Sequence, residues 1–138
     1  MKGAALSAAL ETSVDSPTEA EGYAAAKRLI TATPHPTALL CATDTIAVGA
    51  LSAVKEAGLR PGVDMTIVGH DGLAIGAFSD PPLTTMQIGA SDVGQRLAAL
   101  LLERMRGADP RDLQVVLPVR QVLRSTHGPP PKLPAKRR

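Results

Sequence analysis

From residue 16 to about residue 127, short apolar runs alternate with longer amphipathic stretches, a rhythm that predicts strands separated by helices. Residues 6–14 form a weak strand candidate. The first clear punctuation is Ser16-Pro17-Thr18-Glu19, which has the form of a capping box with proline at the first helical position. It predicts a helix to about Ala32, with Tyr23, Ala26 and Ile30 along one face, ended by Pro34 and Pro36. Ala38 to Ala42 is apolar throughout and too short for a buried helix, so it reads as a strand covered on both faces. Thr43-Asp44 then caps a second helix over residues 45–57, stopped by Gly58.

Ile46, Ala47, Val48, Ala50, Leu51, Ala53, Val54 and Ala57 spread over most of the circumference of that second helix. A helix apolar on more than one face needs cover on more than one side. A sheet is expected to supply one cover and a second subunit the other.

Farther along, Pro61-Gly62 marks a turn, and residues 65–69 form the next buried strand. His70-Asp71-Gly72 leads into a short helix over 74–79, and Pro81-Pro82 into a third strand over 83–88. Ser91 or Asp92 is expected to cap a helix reaching Arg106 and ended by Gly107, with Val93, Leu97, Leu100, Leu101 and Met105 on one stripe. Residues 115–117 and 119–123 suggest a last strand or two around Pro118. The alternation indicates an α/β fold with a doubly wound parallel sheet. Residues 1–15 are a lead-in, 16–127 the folded unit, and 128–138 a basic, Pro-rich disordered tail.

Composition narrows the options. Tyr23 and Phe78 are the only aromatics, so neither a base-stacking platform nor a full sugar-stacking wall is available. The formal charge is +2, but Lys132, Lys136, Arg137 and Arg138 lie in the acid-free tail. Without them 11 basic residues face 13 acidic ones, so the basic pI is a property of the tail and not of a nucleic-acid surface. Cys41 is the single cysteine and reads as a small buried hydrophobe in a reducing compartment. No secretory leader or apolar run of membrane-spanning length is evident, so a soluble, cytoplasmic protein without membrane partners is expected.

In open α/β sheets, ligands bind beyond the carboxyl ends of the strands. The polar residues there are Thr43-Asp44, His70-Asp71-Gly72 and Gln87, a rim suited to a small, polar or polyhydroxylated ligand. Asp44 alone is explained by an N-cap, whereas Asp71 has less structural reason to exist beside Gly72. Enzyme readings fare worse. No phosphate loop or dinucleotide fingerprint is present. A hydrolase elbow built on Asp71, with His127 as base, would want a small residue where Leu73 stands. His35, His70 and His127 lack metal-ligand spacing. No catalytic residue, metal or cofactor is assigned.

Pro36 to Asp44, followed by Ala47-Val48-Gly49-Ala50-Leu51, resembles a segment of the lactose-repressor/galactose-repressor (LacI/GalR) family of transcription regulators. Ala57-Gly58-Leu59-Arg60, the stretch from Val63 to Asp71, and Phe78-Ser79-Asp80-Pro81-Pro82-Leu83-Thr84-Thr85 also match that family, in family order. The resemblance covers about residues 16–127 and implies one lobe of a periplasmic-binding-protein-like effector domain. It implies that Asp71 bonds a sugar-like effector's hydroxyls and that Thr43 and Asp44 line the same cleft; His70 and Gln87 join them as candidates from their place at the strand tips. It also implies a homodimer whose interface draws on Val48, Leu51, Ser52, Ala74 and Phe78. Operator DNA would be bound only through an N-terminal helix-turn-helix that the chain lacks. The helix over 91–106 would belong to the family's other lobe and stand here without its usual cover. Thr43 replaces a frequent asparagine, and Ile88 aligns with a frequent glutamine that Gln87 precedes. A fragment of a periplasmic sugar receptor of a transporter is the alternative.

Overall fold

The computed structural model describes residues 10–33 and 36–129. A four-stranded sheet runs in the order β1 (Ala38–Leu40), β2 (Thr66–Asp71), β3 (Thr84–Gln87) and β4 (Arg120–Val122). The first three strands are parallel, as the alternation of elements predicts. The last is antiparallel to β3, so the sheet is parallel with one reversed edge strand. Residues 115–117, read as strand from their apolar character, form none, and Val116 is 97% exposed. Residues 10–15 are also outside any strand, and the rest of the lead-in candidate, residues 6–9, lies outside the described residues.

Helix α1 (Glu19–Ile30) starts two residues later than Pro17 suggested. Its N-cap is Thr18, whose hydroxyl accepts from the Glu21 amide, because Thr18-x-x-Glu21 is itself a capping-box sequence. Helix α2 (Asp44–Glu56) is capped by Thr43 Oγ1, which accepts from the Ile46 amide, and ends before Gly58 at φ +75°. The cap is therefore Thr43, which leaves Asp44 free for another role. Helix α3 (Ala74–Ala77) is a single turn. Helix α4 (Ala90–Met105) begins at Gly89 with no side-chain cap, so neither Ser91 nor Asp92 serves as one.

The core explains the apolar girth of α2. Ala47, Ala50, Ala53 and Val54 pack with Leu39, Ile67, Met65 and Leu83 on one side of the sheet. The second cover is α1 and not another subunit. Gly22 of α1 lies on the Ile46 backbone and Gly49 of α2 on the Glu19 carbonyl, so the two helices touch through their main chains. At the far end of this contact Tyr23 donates to Glu56, and Lys27 binds the same carboxylate at 2.9 Å. Those partners, Tyr23 first, hold the Glu56 carboxyl below its ordinary range.

The opposite face of the sheet carries Leu40, Val68, His70, Thr84 and Met86 by register. Among the described residues no helix buries a face against it, and Leu40 is 84% exposed. One end is closed by a strap at residues 124–128. Thr126, fully buried, donates to the Ile67 carbonyl at 2.7 Å and accepts from the Thr84 amide at 2.8 Å. Helix α4 buries nothing, and Leu97, Leu101 and Met105 are exposed along its stripe. Within one copy the helix does not fold back.

The cluster beneath the strand tips centres on Asp44, which has no exposed surface. Its Oδ2 accepts from the Leu73 amide at 2.6 Å and its Oδ1 from the Thr85 hydroxyl at 2.5 Å. Gly69 makes room for it, since a Cβ there would stand 2.2 Å from Oδ1. Cys41, buried nearby, has its thiol pushed up to about 11, by burial first and by Asp44 second.

Two expectations follow from this packing. In open helix, Gly→Ala gains about 0.5–1 kcal/mol through propensity alone. Gly94→Ala, in uncrowded α4, is expected to gain about that much. Gly49→Ala instead drives a methyl into backbone and is expected to lose about 2 kcal/mol net. Thermal unfolding of the two variants checks the opposite signs. Asp44→Ala strands the buried Thr85 hydroxyl and the part-buried Leu73 amide and is expected to cost about 3 kcal/mol in urea unfolding. Asp44→Asn is expected to lose about 1 kcal/mol, because the Thr85 hydroxyl can turn to accept from the new amide.

Candidate functional site

Parallel pairing decides where the polar residues gather. β1 and β2 run side by side in one direction, so Thr43, just past β1, and Asp71, the last residue of β2, lie at the same edge. β3 ends at Gln87, the register partner of Asp71, which adds a third tip to the row. Thr43, His70, Asp71 and Gln87 are all partly exposed there. Asp44 lies beneath them and is wholly enclosed.

The Asp71 backbone has φ +106°, in the left-handed region that a side chain rarely adopts. Such a conformation persists only where its surroundings hold it. His70 Nδ1 lies 3.1 Å from Asp71 Oδ1, and both side chains keep about a third of their surface open. Two residues on, the Leu73 amide is fastened to Asp44. Between them Gly72, at φ +79°, lies flat on Gln87, whose Cγ would be 2.4 Å from any Cβ added there. A side chain at position 72 would lift the turn off β3. The Asp71 carbonyl also accepts from the Ile88 amide at 3.2 Å.

Gln87, with its stem under Gly72, accepts through Oε1 from Arg120 Nη2 at 2.6 Å. Sequence reading missed Arg120. It lies in an apolar stretch with no local signal, and only the antiparallel pairing of β4 sets it opposite Gln87. Thr85 and the Leu73 amide were missed for the same reason, since their bonds to Asp44 span 41 and 29 residues of chain.

The residues expected at a subunit interface divide. Phe78 is 89% exposed, Ser52 and Ala74 are exposed, and Val48 is half-buried. Leu51 is 3% exposed and belongs to the core, so it offers no surface to a partner. A separate groove of about 440 Å³ runs between the lead-in, α1 and β1, lined by Leu10, Thr12, Val14, Leu29 and Leu39. It does not include Thr43, Asp71 or Gln87. Among the described residues no cluster of His, Cys, Asp and Glu could hold a metal, and no helix is long and apolar enough to cross a membrane.

Residues 3–127 match the family described as periplasmic binding protein-like domain. An HTH-type transcriptional repressor, PurR, of Haemophilus influenzae is 42% identical over 89 residues, 64% of this chain and 26% of the relative. A LacI family transcriptional regulator from Mycobacterium smegmatis superposes with a TM-score of 0.77 at 30% identity, over 91% of this chain and 47% of the other. One from Arthrobacter sp. FB24, in complex with lactose, superposes with a TM-score of 0.70 at 27% identity, over 79% and 41%. The chain thus spans about a quarter of the length of the curated repressor. With four sequence blocks in order, this sheet and these matches, the chain belongs to the periplasmic binding protein-like domain family, as part of a LacI/GalR-type effector-binding domain.

Proposed function

We propose that this chain is the effector-sensing part of a cytoplasmic transcription regulator, that it is not an enzyme, and that its ligand is a small polyhydroxylated molecule. The observation that carries the reading is the convergence of Thr43, His70, Asp71 and Gln87 on adjoining tips of parallel strands. Asp71 contributes a partly open carboxylate that accepts from ligand hydroxyls, an interaction of higher strength than a neutral hydrogen bond. Thr43 adds a hydroxyl at the start of α2, and His70 orients the Asp71 carboxylate from the side. Asp44 acts from below as a positioning residue and does not reach the ligand. The lactose held by the Arthrobacter relative supports the ligand class.

Phe78, with Ser52, Ala74 and Val48, supplies the face through which two copies of the regulator pair. The sensing and pairing roles belong to these residues; operator contact belongs to the helix-turn-helix part of the regulator.

Asp71→Asn tests the sensing role cleanly. Asparagine tolerates a positive φ, so the fold is expected to survive with unchanged thermal unfolding. In calorimetric titration against lactose, cellobiose, glucose, ribose, gluconate, glucose 6-phosphate and ribose 5-phosphate, the unmodified chain is expected to bind at least one. Asp71→Asn is expected to weaken that binding by about 10-fold to 100-fold. Equal affinity in the variant, or no binding by the unmodified chain, would overturn the reading.

A further inference from the structure

The row of strand tips does not stop at Gln87. Asp71, Gln87 and Arg120 are successive register partners across β2, β3 and β4. Register partners in a sheet project to the same side, and adjacent strands lie about 4.8 Å apart, so Asp71 and Arg120 stand about 10 Å from each other. Arg120 is exposed and, among the described residues, forms no ion pair; its side-chain hydrogen bond is the 2.6 Å contact from Nη2 to the neutral Gln87. Gln87 is itself wedged under Gly72. The guanidinium is therefore held toward the tips by the turn that presents Asp71, with four of its five N–H donors left for another acceptor.

Resting on the sensing role proposed above, we infer that Arg120 is a specificity-determining residue of the same site and that the effector carries an anionic group beside its hydroxyls. A carboxylate at one end of the row and a guanidinium at the other sort two kinds of ligand chemistry. Hydroxyls donate to Asp71, and a carboxylate or phosphate takes the fork of Arg120, a bidentate match that planar guanidinium makes better than any other side chain. Gln87 between them has two amide protons that can donate to a ring or bridging oxygen while its carbonyl holds Arg120. The ligand class is thus a sugar acid or sugar phosphate, of a length that reaches across three strands.

Matched probes test this: glucose against gluconate and glucose 6-phosphate, and ribose against ribose 5-phosphate, titrated calorimetrically into the chain at low ionic strength. At least one charged probe is expected to bind about 10-fold or more tighter than its neutral counterpart, and the preference to shrink as salt rises. Which charged member wins identifies carboxylate or phosphate as the group recognised. Arg120→Gln, at an exposed edge position, is expected to leave thermal unfolding unchanged and to bring the pair within about 2-fold. Neutral sugars binding as well as their charged partners, through Asp71 but indifferent to Arg120→Gln, would overturn this inference and leave the sensing role standing. Absence of binding by every probe would overturn both.

Discussion

One enclosed carboxylate organises the end of this molecule where the polar strand tips gather. Asp44 starts α2, and its two oxygens are spent on the turn after β2 and on the hydroxyl of Thr85 in β3. A buried polar group survives only where hydrogen bonds replace the water it has lost. Here two short bonds do so, from the Leu73 amide and the Thr85 hydroxyl. Three segments far apart in sequence are thereby brought to one point, and the turn carrying Asp71 inherits its geometry from it. A left-handed Asp71 next to a left-handed Gly72 would relax if the Leu73 amide were free. The geometry of the strand-tip rim is thus set by a residue that is itself wholly enclosed.

Much of this architecture was legible in the chain. Periodicity placed the four α-helices of the described residues and the three parallel strands, though not the 3-10 turn at Pro110–Asp112, and parallel strands followed by helices necessarily bring their tips to one edge. That is why Thr43, His70, Asp71 and Gln87 group together on sequence grounds alone. What could not be read was pairing at long range. Asp44 satisfies every rule for an N-cap, yet Thr43 takes that role because its hydroxyl reaches the Ile46 amide, and Asp44 turns inward. Arg120 looks like an ordinary edge residue until β4 reverses direction beside β3. Ser16 and Thr18 both head plausible caps, and only the backbone path after Pro17 separates them.

The apolar circumference of α2 shows how a correct local inference leads to a wrong partner. Its girth does demand two covers, but Gly22 and Gly49 let α1 come close enough to supply the second. Leu51 then faces inward, while Phe78 stays outside. The surfaces left uncovered are elsewhere: the Leu40 side of the sheet and the stripe of α4.

The hold of Asp44 on the turn can be measured at one atom. Leu73 is 43% exposed and lies outside any strand or helix, so without a bond its amide would exchange with solvent at the rate of an unfolded peptide. Native-state hydrogen exchange followed by NMR is expected to show that amide slowed by at least about 100-fold, in step with the core of α2. Free exchange at Leu73 in a chain whose α2 amides remain protected would contradict the account.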